Sequence, residues 1–93
     1  MMLIQEKEIY PQSYGKAQTA IDRELWKAIE KHPYWPVDIL HGLAVIQEEL
    51  GEAFQEGLDI TYFNNGNTDN LKKELAQTGA MCIRMLAHIE NKT

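Results

Sequence analysis

Three stretches of this chain repeat apolar side chains every three or four residues, and none alternates them every second residue. In 93 residues that pattern leaves room for packed helices and little else. The first stretch runs from about 13 to 31, with Ala17, Ile21, Leu25, Ala28 and Ile29 on one side. Asp22, Arg23, Glu24, Lys27 and Glu30 fill the other faces. It stops at His32-Pro33-Tyr34-Trp35-Pro36, because a residue before proline disfavours the helical region and each proline lacks a donor.

The second stretch, about 37–58, starts near Pro36 or Val37. Proline suits a first helical position and Asp38 a first turn. It carries Ile39, Leu43, Ile46, Leu50, Ala53, Phe54 and Gly57. A polar connection from Asp59 to Asn70 contains Asn64-Asn65-Gly66-Asn67, a strong turn signal. The third helix, about 68–91, takes Asn67, Thr68 or Asp69 as its cap and repeats Leu71, Leu75, Thr78, Cys82, Met85, Leu86 and Ile89. Residues 1–12 stay open, since Met1-Met2-Leu3-Ile4 reads as a short strand, a helix start or an arm onto a partner. Pro11 closes that segment.

The fold expected is all-α: one domain over 1–93, a helical bundle of three main helices completed by oligomerisation. The third helix drives that last expectation. Ala80, Met81, Cys82, Ile83, Met85, Leu86 and Ala87 make it apolar over more than one stripe, which calls for cover on two sides. A second copy of the chain is the simplest cover.

Charge and composition narrow the function. With 44% hydrophobic and 25% charged residues the chain has the makings of a core rather than of a disordered segment. The net charge is −5 and no Lys/Arg run exists, so a nucleic-acid duplex would be repelled. No apolar stretch approaches the roughly 20 residues that span a bilayer. The opening Met1-Met2-Leu3-Ile4-Gln5-Glu6 turns acidic too early for a secretory signal. Cys82 is the only cysteine, which excludes an intrachain disulfide and fits a reducing compartment. A cytoplasmic protein is expected.

The chemistry lies in three glutamates and a glutamine. Glu49 and Glu52 sit three apart on the second helix, and Glu74 and Gln77 three apart on the third. That spacing puts two side chains on neighbouring turns of one face. On a helical wheel with Ile39 at zero, Glu49, Glu56 and Glu52 lie at about −80°, about −100° and about −140°. Measured from Leu71, Glu74 lies at about −60°, Gln77 at about −120° and Arg84 at about −140°. Each helix has an apolar stripe with a polar strip on one flank, and the strips meet if the stripes pack. A solvated helix face is the simpler reading of any one glutamate. Jointly, Glu49, Glu52 and Glu56 form a same-sign ladder that costs stability unless a cation neutralises it.

Glu48-Glu49-Leu50-Gly51-Glu52 and, on the next helix, Glu74-Leu75-Ala76-Gln77 resemble the MazG-like all-α nucleotide pyrophosphohydrolases. That family pairs a Glu-x-x-Glu helix with a Glu-x-x-Asp helix across a loop of similar length, and the likeness spans residues 38–90. The resemblance implies a Mg²⁺-dependent hydrolysis of a nucleoside triphosphate between its α and β phosphates, in a homodimer or homotetramer. It implies Glu49, Glu52 and Glu74 as catalytic and metal-binding carboxylates, with Gln77 standing where the family has aspartate. Gln77 offers a neutral carbonyl on a longer side chain. One ion in place of two, weaker binding, or recruitment of Glu56 or Glu48 are the open consequences. The same fold without the chemistry would serve as a nucleotide-binding or protein-interaction module.

Candidates to meet a substrate are Arg84, Lys73 and Glu56. A guanidinium suits phosphate geometry, although a surface ion pair or a helix-dipole contact is the commoner role for an arginine near a helix end. Lys72 and Lys73 read first as a solvated pair. Trp35 either stacks on a base or closes the end of the bundle. Trp26 reads as core or interface and His41 as exposed.

Overall fold

A computed structural model describes residues 4–93, and the start of the arm, Met1-Met2-Leu3, lies outside the described residues. From Ile4 to Tyr10 the chain has no regular structure and is exposed. Helix α1, Pro11–Lys31, therefore starts two residues earlier than the apolar repeat suggests, with proline in its first turn. Helix α2 spans Ile39–Leu58 and helix α3 spans Thr68–Lys92. The described residues contain no strand.

Two boundaries differ from expectation. Pro36 is not the first helical residue. Asp38 is the N-cap of α2, its Oδ2 accepting the His41 N–H at 3.0 Å. A carboxylate cap satisfies an orphan donor that a proline start would leave bare. The connection after α2 is also not a plain loop, because Asp59–Phe63 form a π-helical turn. It ends at Asn64, in the left-handed region at φ 49°, which asparagine tolerates. The Asn65 N–H then bonds to the Asp59 carbonyl at 3.0 Å. Asn67 is the cap of α3, taking the Asn70 N–H at 2.8 Å.

Helix α3 is central, packed by α2 on one side and α1 on the other. It meets them with different faces. Met81 and Met85, at about −80° and about −40° from Leu71, are one buried set. Ala76 and Ala80, at about 140° and about 180°, are the other. The second set is small, and a Cβ at Gly79 would stand 3.0 Å from Ile21 Cδ1 of α1. Small residues let α1 come close.

The same logic turns α2. Its buried residues are Gly42 and Ala53, at about −60° and about −40° from Ile39. Ile39, Leu43 and Leu50, expected to point into the core, are exposed, as are Phe54, Leu75, Leu86 and Ile89. The inward direction of α2 is thus rotated towards its acidic flank. Docking through Gly42 and Ala53 brings the helices nearer than leucine would, and it carries the large apolar side chains outward. Leu50, Phe54, Leu71 and Leu75 line one shallow groove on that outer face. Trp26 is 66% exposed and His41 is exposed.

Candidate metal centre

The rotation of α2 puts its polar strip over the seam with α3. Glu49 and Glu52 from α2 and Glu74 from α3 each offer a carboxylate oxygen within 4.8 Å of the others. A hard cation with oxygen ligands at about 2.0–2.6 Å holds opposed ligands about 4–5 Å apart, so the spacing suits one ion. One oxygen of Glu49 and one of Glu74, both Oε2, are buried without a hydrogen-bond partner. An orphaned buried carboxylate oxygen costs free energy unless protonated or bound to a cation.

The titration of these groups records the same stress. Burial pushes the Glu49 carboxyl above the usual range, and the charges of Glu52 and then Glu48 push it further. Glu74 is raised for the same first reason, then by a hydrogen bond with the Glu52 carboxyl and by the charges of Glu52 and Glu49; Lys73 pulls it back. Three hard oxygen donors crowded this way fit a divalent cation such as Mg²⁺ or Ca²⁺ and suit a soft metal poorly.

Gln77 faces a different partner. Its Nε2 donates to Glu24 Oε1 of α1 at 3.3 Å, and Glu24 Oε2 pairs with Lys27 Nζ at 3.3 Å. The amide that stands at the fourth motif position is tied to the first helix. Glu24 is the residue that sequence reasoning missed. Its only local signal is a three-residue spacing to Lys27, and nothing in the sequence announces a contact 53 residues away.

Glu56 is not in the carboxylate group. Its Oε1 accepts the Asn67 N–H at 2.9 Å and ties the end of α2 to the start of α3. Arg84 is not bonded to the carboxylates either, though it lines a cavity that Glu49 also lines. Its Nη2 donates to the carbonyls of His32 at 2.6 Å and Tyr34 at 3.2 Å, and its guanidinium stands 5.1 Å from the centre of the Trp35 ring. Partial burial lowers the Arg84 pKa, though a guanidinium remains charged at any ordinary pH. Lys73 stays on the exposed side of α3.

Beside the carboxylates is an open cavity of about 620 Å³. Glu49, Gln77, Tyr34 and Trp35 form part of its wall, and Lys27, Lys31, Lys73 and Arg84 supply positive charge. The cavity combines aromatic surface, cations and a carboxylate cluster. No protein-family model, curated protein or solved structure matches the chain.

Proposed function

We propose that this chain is a MazG-like nucleoside triphosphate pyrophosphohydrolase, using Mg²⁺ to hydrolyse an NTP or dNTP to the monophosphate and pyrophosphate. The observation that carries the reading is the three-carboxylate cluster, with two orphaned oxygens, beside a cavity that has aromatic and cationic walls. Glu49, Glu52 and Glu74 hold the ion. Bound there, Mg²⁺ supplies charge neutralisation for the phosphates and acidifies a water. Lys73 and its neighbours Lys27 and Lys31 offset the remaining negative charge of a triphosphate. In the reaction a water oxygen forms a new P–O bond, the bridge between the α and β phosphates breaks, and pyrophosphate leaves.

The test is pyrophosphate release from a panel of nucleoside triphosphates with Mg²⁺. Release that disappears in Glu52→Ala supports the enzyme. The tie between Gln77 and Glu24 favours a second reading, in which the fourth carboxylate function is lost and the chain binds a nucleotide or a protein without hydrolysing it. No release with any nucleotide, at protein concentrations near substrate, would leave that reading standing alone.

A homodimer, or a tetramer built from two, belongs to the same proposal. The exposed stripes of α2 and α3 are the surface to be covered, and pairing them joins four helices into one larger core. A cytoplasmic setting fits the free thiol of Cys82. Among the described residues no helix is long and apolar enough to cross a membrane.

A further inference from the structure

Residues 32–36, the first part of the link from α1 to α2, contain two prolines, so they carry few donors with which to hold themselves in place. Their fixation comes from α3. Arg84 Nη2 donates to two carbonyls of the linker that flank Pro33, those of His32 and Tyr34, and the guanidinium lies over the next ring, Trp35. The indole is seated from the other direction by α2. A Cβ at Gly42 would stand 3.1 Å from Trp35 Nε1 and 2.7 Å from Met85 Sδ, so only glycine leaves room for the ring edge there. Trp35 is held by both helices that bear the carboxylates, and it lines the cavity that Glu49 and Gln77 also line.

We propose that Arg84 is a positioning residue: it clamps the 32–36 linker so that Trp35 forms a fixed wall of the cavity, against which the planar base of a nucleotide packs. Arg84 acts through Trp35, although it lines the same cavity, and the double-variant test below separates this role from a direct contact. Both carbonyls are on Nη2 and the ring lies beneath the guanidinium, which engages one nitrogen and one face and leaves the Nη1 and Nε donors free of those contacts. The ligand half of this inference rests on the nucleotide reading above; the clamp does not. An arginine suits the role because its planar group bonds at the edge and stacks on the face at once, which an ammonium does not reproduce.

The experiment uses the whole chain with Trp26→Phe, an exposed position, which leaves Trp35 as the one tryptophan. Without ligand, Arg84→Gln raises acrylamide quenching of Trp35 and Arg84→Lys restores part of the protection. Circular dichroism confirms that each variant is folded. With Mg²⁺ and α,β-methylene nucleoside triphosphates, Arg84→Gln weakens binding about tenfold, the size of one lost stacking contact. In a Trp35→Ala background the same change weakens binding no further, because both substitutions remove one contact. Unchanged quenching in Arg84→Gln overturns the clamp. Additive losses in the double variant overturn the indirect role and make Arg84 a ligand contact. If no such nucleotide binds the unsubstituted protein, the nucleotide reading and the ligand half fall together, and the quenching result still decides the clamp.

Discussion

At position 77 an amide bonds to Glu24 where a carboxylate would be repelled by it. That gives Gln77→Asp two opposed effects. Without metal the variant loses the bond to Glu24 and gains a like charge beside it, so its stability falls by about 1 kcal/mol. With metal, a fourth negative charge joins the three carboxylates. Freed from Glu24 and turned towards the cluster, that charge is expected to raise Mg²⁺ affinity about tenfold after screening. Titration calorimetry on the two proteins decides the matter, and equal Mg²⁺ affinities would show that position 77 takes no part in the site. The acidic cluster was legible in the sequence for a simple reason: a three-residue spacing on a helix leaves a side chain almost no choice of face. Glu24 was not legible, because its partner is chosen by the packing of α1 on α3.

The raised pKa values of Glu49 and Glu74 fix the sign of a pH effect at the same scale. The native protein holds these two protons to higher pH than the unfolded chain does. Stability from these groups is therefore full below the ordinary glutamate value of about 4.3 and is lost as pH rises through their native values. Metal-free protein melts at a higher temperature at pH 5 than at pH 7.5 as far as these residues act, and Mg²⁺ narrows the gap by stabilising the ionised form. A Glu49→Gln, Glu74→Gln double variant should flatten the metal-free profile. The same profile in both proteins would sink the assignment.

At the scale of elements, the helices were legible and their facing was not. Periodicity marks which side of α2 is apolar, and the limits of α2 and α3 fall within two residues of expectation. It does not say which side meets α3, because Gly42 and Ala53 dock closely where leucines cannot. The π-helical turn was equally hidden. It depends on side chains that close on it from both ends: Gln55 Nε2 donates to Asp59 Oδ1 at 3.0 Å, and Glu56 holds the Asn67 N–H. Gly66 completes the arrangement, since a Cβ there would stand 2.8 Å from Glu56 Oε1, 2.9 Å from Ile60 Cγ1 and 3.1 Å from the Glu56 carbonyl oxygen. One of those contacts is backbone and does not yield. Gly66→Ala should cost about 1–3 kcal/mol. Glu56→Ala should cost about 1 kcal/mol, or roughly 4–8 °C in Tm for a domain of this size. Mg²⁺ affinity should not change in Glu56→Ala, and a clear loss would return Glu56 to the metal site.

The whole molecule exposes more than a chain of its mass should. A compact monomer of 10.7 kDa has an accessible surface of about 5,500 Å², whereas this chain has 7811 Å². Its radius of gyration is 15.1 Å against the roughly 12 Å of a compact domain of this length. The excess area, roughly 2,300 Å² per chain, compares with the roughly 1,000–2,500 Å² that each partner buries in an obligate interface. The exposed arm from Ile4 to Tyr10 accounts for part of it. Another part is apolar and gathered in one place, with Leu50, Phe54 and Leu75 each at least half exposed around a single groove on α2 and α3. Among the described residues the buried apolar set is small by comparison, two methionines and three alanines with no large side chain fully enclosed. At about 25 cal/mol per Å² of apolar area, pairing this face adds many kcal/mol before the costs of association, against a total stability of about 5–15 kcal/mol for an ordinary domain. The chain is therefore expected to be a dimer at micromolar concentration, with a light-scattering mass twice 10.7 kDa. Phe54→Asp separates the assembly from the fold. Phe54 is 67% exposed in the single chain, so a monomer would tolerate the change within about 0.5 kcal/mol. In a dimer closed over α2 and α3 the same carboxylate is buried without a partner, and the complex dissociates and melts at much lower temperature. A monomeric mass for the unsubstituted chain, or an unchanged Tm in Phe54→Asp, would show that this face stays open to solvent.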